Sequence, residues 1–498
     1  MSEDMSAAVS AGSESLVTDS AVIEERRHAT RVLLTLTAVS LVVTYVETMV
    51  IPGILTIQNA FSTTAQVASW ITSALLIVGS AIAPLFGKLG DSYGKKRMYL
   101  VAMGFYIAGV GMAGFAPSIY FLIFARAIQG VGFAIMPLAL AIITDVFPKE
   151  RVATAQGIIS GTFAIGASAG LILGSYIVED LGWQWAFHTA FVLSIALFLV
   201  VLKVIKRDRP GVKEPMDYVG AAILIGGITL LLVYLTEGPT LGWRSLEEIA
   251  ILIPGAILTF SFFVYESRRT NPMIRMGMLR ILNIFISNMV GLISGMVMFL
   301  LFFGVIYYAE LPTLVGGLGL SDIAAGLVLA PATLVMLAVG PLLGRMTTRI
   351  GPKPVLIFGS LVSALGTALF MLHRGTTLDL TINSAVSFIG IVAVIIPIVN
   401  MISISTPREN VAVGLGMNTM LRNVGGAVGP VLATTIMTTY TMTVMMGIVP
   451  VAKAPSSFAF NLIFAIAIGL MVAVCALSLF IKNYTFRNSS KQPLQSHA

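Results

Sequence analysis

Three ionisable side chains of this 498-residue chain fall inside long apolar stretches: Glu47, Arg126 and Arg422. A charged group in hydrocarbon is costly unless it is paired or hydrated, so its default reading is functional. Glu47 is the only acid clearly inside such a stretch, and a carboxyl there can take up and release a proton. Arg126 lies seven residues past the outer end of its stretch, about 10 Å deep at 1.5 Å per helical residue. Glu47 lies roughly 7–15 Å from the same side, so the two side chains can meet. The reading is that Glu47 carries a coupling proton and Arg126 tunes it. The alternative is a static ion pair that ties the two stretches together.

Arg422 sits about 16 Å deep in its own stretch. Asn418, four residues earlier, shares its helical face. Arg422 either pairs with Glu310 or Asp322, the nearest acids by topology, or faces a cavity and attracts an anionic or carbonyl-bearing substrate. Tyr45, Gln129, Asn418, Arg422 and Glu310 are the candidates for lining that cavity. No chemistry of another kind is legible. The single cysteine, Cys475, allows no intramolecular disulfide, and the four histidines have no metal-ligand spacing. No GxxxxGK[ST] loop exists, which argues against a nucleotide-driven pump. Neither a metal nor an organic cofactor is expected, and a carboxyl at Glu47 suits a proton gradient as the energy source.

These residues are positioned by a duplicated framework. GKLGDSYGKKR at 87–97 has a weaker copy, GRMTTRIGPKP at 344–354. Pro148, Glu150, Ala153, Gly157, Gly166 and Gly170 match Pro407, Glu409, Ala412, Gly416, Gly425 and Gly429, each 259 later. Two elements repeated in the same order make two related halves. Gly87, Asp91, Gly94, Lys95 and Arg97 read as a conformational latch around a tight turn, with Lys95, Lys96 and Arg97 at anionic headgroups. A purely topogenic turn is the alternative. Thr348 replaces the acid in the second copy, so the latch is expected to be asymmetric. Gly166, Gly170, Gly425, Gly429 and Pro430 read as packing surfaces between helices that slide or rock. The many methionines, Met417 and Met420 among them, suit either an adaptable pocket or ordinary core and lipid contact.

Composition places the framework in a membrane: 57% of residues are hydrophobic and 11% charged, against roughly a quarter charged in soluble domains. Apolar runs long enough to span fall at 32–51, 67–87, 98–115, 119–140, 154–177, 186–205, 218–236, 248–265, 283–308, 322–345, 354–372, 382–402, 411–438 and 458–481. With the N-terminus inside, all but five of the 30 basic residues fall on the inner side. The exceptions are Arg244, Arg374 and Lys453 outside, and Arg126 and Arg422 within spans. The fold expected is all-α and integral to the membrane, with two six-helix bundles and two extra central helices. Its parts are a disordered tail at 1–31, bundles at 32–205 and 283–481, an inserted segment at 206–282, and a tail at 482–498. Both termini are expected in the cytoplasm. The basic residues mark topology and no nucleic-acid face.

The Gly87–Arg97 stretch resembles the signature loop of the major facilitator superfamily. Arg126, Gln129, Gly130 and Gly132 in FARAIQGVG are similar to that family's fourth-helix motif, and GTFAIGASAGLILGS at 161–175 resembles its fifth-helix antiporter motif. The layout as a whole resembles the fourteen-helix drug:proton antiporter group. Leu171 stands where that group usually has proline, Ser175 where it often has glycine, and Glu47 where aspartate is common. The resemblance implies proton-coupled export of small, mostly apolar or amphipathic compounds through a cell-membrane monomer. A metabolite symporter or a lipid-type flippase of the same fold are the other readings.

Overall fold

In the computed structural model, residues 2–205, 217–270, 272, 276–406, 411–446 and 449–483 are described. Apolar, glycine-rich runs close their backbone hydrogen bonds locally, as hydrocarbon requires. Thirteen of the resulting helical spans are long and apolar enough to cross a membrane, among the described residues. The first half contains α1 (Ser2–Thr48), short α2 (Ile54–Ala60), α3 (Ala65–Tyr93), α4 (Lys95–Gly114), α5 (Ile119–Gln129), α6 (Ile135–Val146), α7 (Lys149–Leu181) and α8 (Trp183–Val204). Two central helices follow, α9 (Tyr218–Leu241) and α10 (Leu246–Arg268), then short α11 (Met276–Leu279). The second half contains α12 (Leu282–Glu310), α13 (Asp322–Ile350), α14 (Pro352–Leu372), α15 (Thr377–Ser405), α16 (Val411–Thr439) and α17 (Ser457–Leu479). Helix α16, 29 residues long, is not one of those thirteen and packs against α12 and α3.

The structure differs from expectation in two places. Helix α1 begins at Ser2, where a disordered tail over 1–31 was expected. Its early residues are mostly Ser, Ala, Glu and Val, with no proline to interrupt a helix. The segment after α16 departs from the all-α expectation: β1 (Thr441–Met446) pairs antiparallel with β2 (Val449–Pro455). Its alternating Thr, Val and Met residues suit a pleated hairpin. The repeat positions Pro407 and Glu409, the linker 206–216 and most of the tail 482–498 lie outside the described residues.

The duplicated turns are real structural counterparts. Gly94 (φ 99°) joins α3 to α4, and Gly351 (φ 90°) joins α13 to α14. Both need the positive φ that glycine adopts without a steric penalty. We call the side bearing these turns the turn face and the opposite side the far face. The glycine rows meet partner helices at backbone distance. A Cβ on Gly170 of α7 would come 2.5 Å from Tyr45 O of α1, and one on Gly429 of α16 would come 2.7 Å from Met296 O of α12. Gly166 likewise faces Thr44, and Gly425 faces Leu292 O. The α1/α7 and α12/α16 seams are thus the same construction in two copies.

The inserted helices flank this core. Thr435 of α16 donates to Leu235 O of α9 at 2.8 Å, and Trp70 Nε1 of α3 donates to Thr236 Oγ1 at 3.0 Å. At the turn face Asp217 caps α9 by accepting from Gly220 N at 2.9 Å, 3.9 Å from the Arg269 guanidinium. Burial pushes the Asp217 carboxyl up, but hydrogen bonds with Glu266, Gly220 N and Tyr265, together with Arg269, outweigh this and hold it below its ordinary range.

Candidate substrate and proton site

The fourth span brings Arg126 to the middle of the first half by an irregular route. It is α5 and α6 joined by a 3-10 turn at Gly130–Ala134. Close packing causes the break. A Cβ on Gly130 would lie 2.6 Å from Leu75 O, and one on Gly132 would lie 2.5 Å from the Tyr106 ring. Helix α4 approaches equally closely, since a Cβ on Gly109 would meet Gln129 N at 2.5 Å. Arg126 is fully buried. Its Nε donates to Ile71 O at 3.0 Å, and Nη1 donates to Val46 O at 3.3 Å and to Gln129 Oε1 at 2.9 Å. The guanidinium also lies 5.9 Å from the centre of the Phe187 ring. It therefore ties α5 to α1, α3 and α8.

Glu47 lies next to Val46, in the last turn of α1. It is 7% exposed and interacts electrostatically with both Arg126 and Arg422. Among the described residues no side chain forms an ion pair with it within 4.0 Å. Glu47 instead lines a small enclosed pocket between the two halves. The walls are Thr48, Ala164 and Ala167 from the first half, and Met298, Phe299, Phe302, Thr333 and Met336 from the second. Its free volume is about 10 Å³, enough for roughly one water molecule. One carboxyl in a chamber whose other polar side chains, Thr48 and Thr333, are engaged with Ala167 O and Ser168 is the arrangement of the site.

The five residues expected to line a cavity lie elsewhere. Tyr45 is buried and hydrogen-bonds towards Thr189 of α8. Gln129 is the acceptor for Arg126. Asn418 is buried in the α12/α16 seam, where Nδ2 donates to Ser287 O at 2.8 Å. Glu310 ends α12 at the far face. Arg422 pairs with neither Glu310 nor Asp322 among the described residues; its electrostatic partner is Glu47, across the interface between halves. The apolar lining gave no sequence signal, because Ala, Met and Phe are as frequent in lipid-facing helix surfaces.

At the α3/α4 turn, Lys95 pairs with Asp145 at the end of α6, Nζ to Oδ2 at 2.7 Å. Asp145 was missed in the sequence, although an acid three residues before Pro148 on the basic side was a usable signal. Arg97 is exposed, a Cβ on Gly87 would meet nothing within 4 Å, and the Asp91 side chain lies outside the described residues.

The two halves meet from the middle of the bilayer to the far face. Ser73 Oγ donates to Ala427 O, and Ser168 and Thr333 share a hydrogen bond, both at 2.7 Å. Thr56 Oγ1 donates to Asp322 Oδ2 at 2.8 Å. Towards the turn face, Lys88 Nζ of α3 reaches Pro272 O of the inserted segment at 3.5 Å, and Ile158 of α7 and Leu342 of α13 are exposed. The far face is closed in this conformation.

Comparison with known proteins agrees with this architecture. The Major Facilitator Superfamily description matches residues 36–430 and 291–493. The chain is 27% identical over 373 residues to the multidrug transporter protein MdtP of Bacillus subtilis, covering 72% of this chain and 66% of that one. It is 24% identical over 390 residues to the multidrug export protein EmrB of Escherichia coli, covering 77% and 75%. Among solved structures, a bacterial homolog of the human lysosomal transporter Spinster, in an inward-facing conformation, superposes with a TM-score of 0.60 at 13% identity, covering 91% and 95%. The chain belongs to the major facilitator superfamily and is a multi-pass membrane transporter resembling its drug:proton antiporter group.

Proposed function

We propose that this transporter exports small, mostly apolar or amphipathic compounds in exchange for protons, by alternating access of its two halves. The observation that carries the reading is Glu47: a single carboxyl on an apolar pocket at the interface, within electrostatic reach of one arginine from each half. Protonating Glu47 changes the net charge of that trio by one. As it stands the chamber admits about one water, so cargo enters only when the halves part, and there it competes with the proton for the surroundings of Glu47. Rocking of the halves against each other, across the α3/α16 and α7/α13 contacts, exposes the chamber to each side in turn. The relatives named as multidrug exporters support export over import. The expected setting is the cell membrane, with the turn face and both termini cytoplasmic and the protein acting as a monomer in lipid.

Glu47→Gln is the test. In inverted vesicles, cargo-driven proton movement and pH-gradient-driven cargo uptake are both expected to vanish while the protein remains folded and inserted. Unchanged gradient-driven transport removes Glu47 from the mechanism. A resistance screen in a host stripped of its pumps identifies the cargo class.

A further inference from the structure

The far-face closure gathers three carboxylates from both halves. Glu179 lies near the end of α7, Glu310 ends α12 and Asp322 begins α13. The loop between α12 and α13 folds back on itself, with Leu320 N donating to Ala309 O at 2.9 Å and Leu318 N to Tyr308 O at 3.3 Å. That fold brings the end of α12 beside the start of α13. Glu310 and Asp322 interact electrostatically, as do Asp322 and Glu179.

Two of the three are well served. Asp322 accepts from Thr56 Oγ1 of the other half at 2.8 and 3.0 Å. Glu179 accepts from Ile323 N at 2.7 Å, at the positive end of α13. Glu310 is not. It is 7% exposed, and neither of its oxygens has a hydrogen-bond partner among the described residues. The other ionisable groups around it do not supply one. Tyr307 gives its hydroxyl to Gln58 Oε1 of α2 at 2.9 Å. Arg374 lies over the Tyr308 ring at 5.1 Å and is engaged by Ser457 and Asn461. Asp180 is exposed at the end of α7, and α2 brings only Thr56 and Gln58 to the junction.

We propose that Glu310 is a second proton-binding site of this transporter, one that must be protonated for the far face to close and that loses its proton when that face opens. A buried carboxylate without donors, beside another carboxylate, carries a large desolvation and repulsion cost; the neutral acid does not. Opening the face wets the group and removes that cost. On the far side, acid therefore favours closure. The inference rests on alternating access of the halves but not on the identity of the cargo or on Glu47.

The test is a distance measurement between spin labels on the full chain in a Cys475→Ser background. One pair, Ala60→Cys with Leu314→Cys, spans the far face; another, Ile158→Cys with Leu342→Cys, spans the turn face. The far-face distance is expected to lengthen as the pH rises, the turn-face distance to shorten, and Glu310→Gln to hold the far face closed at every pH. The wild-type titration stands even without that variant. A far-face distance that ignores pH while still responding to ethidium, used as a lipophilic cation probe, overturns the inference and leaves alternating access intact. An unaltered pH response in Glu310→Gln overturns it too. If neither pair moves under any condition, alternating access itself fails.

Discussion

The two halves repeat one backbone plan with different side-chain chemistry. The α1/α7 and α12/α16 seams both bring glycine against backbone, and the Gly94 and Gly351 turns share one conformation. The deep arginines do not match. Arg126 is fully buried and donates to two carbonyls and an amide within its own half. Arg422 is half-buried, shows no hydrogen bond among the described residues, and interacts electrostatically with Glu47 of the other half. One arginine is a fixed part of a wall, and the other is a charge aimed across the moving interface. Duplication supplied the frame, and divergence of side chains supplied the polarity a transport cycle needs.

Removing each arginine breaks or sharpens that contrast most. Arg126→Leu strands two carbonyls and the Gln129 amide in the core, and losing one partner of such a buried network costs roughly 3–5 kcal/mol. The expected result is little folded protein, read by size-exclusion recovery and thermal unfolding. Arg422→Leu, by contrast, is expected to leave the melting temperature nearly unchanged and to shift the pH profile of transport, because only a long-range partner of Glu47 is lost. Equal destabilisation by the two substitutions removes the proposed division of labour.

The glycine seams come next. A side chain at Gly170 must displace Tyr45 O or Met49 N, and one at Gly429 must displace Met296 O or Leu300 N. Overpacking of this kind costs typically 1–3 kcal/mol. Gly170→Val and Gly429→Val are therefore expected to slow transport to a similar degree with the same cargo profile. A defect confined to one of them shows that transport depends on only one seam.

How much of this was readable beforehand follows from the physics of each signal. Spans and repeat are written in hydrophobic runs and glycine-bearing turns, which depend on local sequence alone. Glu47 and Arg126 were legible because a charge in hydrocarbon is rare. Met298, Phe302 and Met336 were not, since a pocket wall and a lipid-facing surface favour the same residues. The sequence offers Arg422 a pairing with Glu310 or Asp322 or a place in a cavity, and not the relation to Glu47, because that relation crosses halves and sequence topology gives no azimuth around a helix. Glu310 looked like a cavity residue by type, whereas its burial depends on a loop folding back, which no periodicity reports.

The smallest expected effects lie at the paired turns. Lys95 holds α4 to α6 by an ion pair with Asp145, whose side chain is 49% exposed. Pro352 stands at the corresponding place in the second half; the next residue, Lys353, matches Lys96, and both donate Nζ to a carbonyl near a helix end, Lys353 to Leu479 O at 2.6 Å and Lys96 to Leu202 O at 2.9 Å. Both turns are thus fastened to a neutral acceptor, and among the described residues the first adds an ion pair where the second has a proline. An exposed ion pair contributes about 0–1 kcal/mol and is screened by salt. Lys95→Met is expected to lower transport modestly at low ionic strength and hardly at all in high salt, with Asp145→Asn reproducing it and the double variant adding nothing. Lys353→Met is expected to show no such salt dependence, because a carbonyl acceptor carries no net charge to screen. Matching salt responses at the two turns place the asymmetry in the arginines alone.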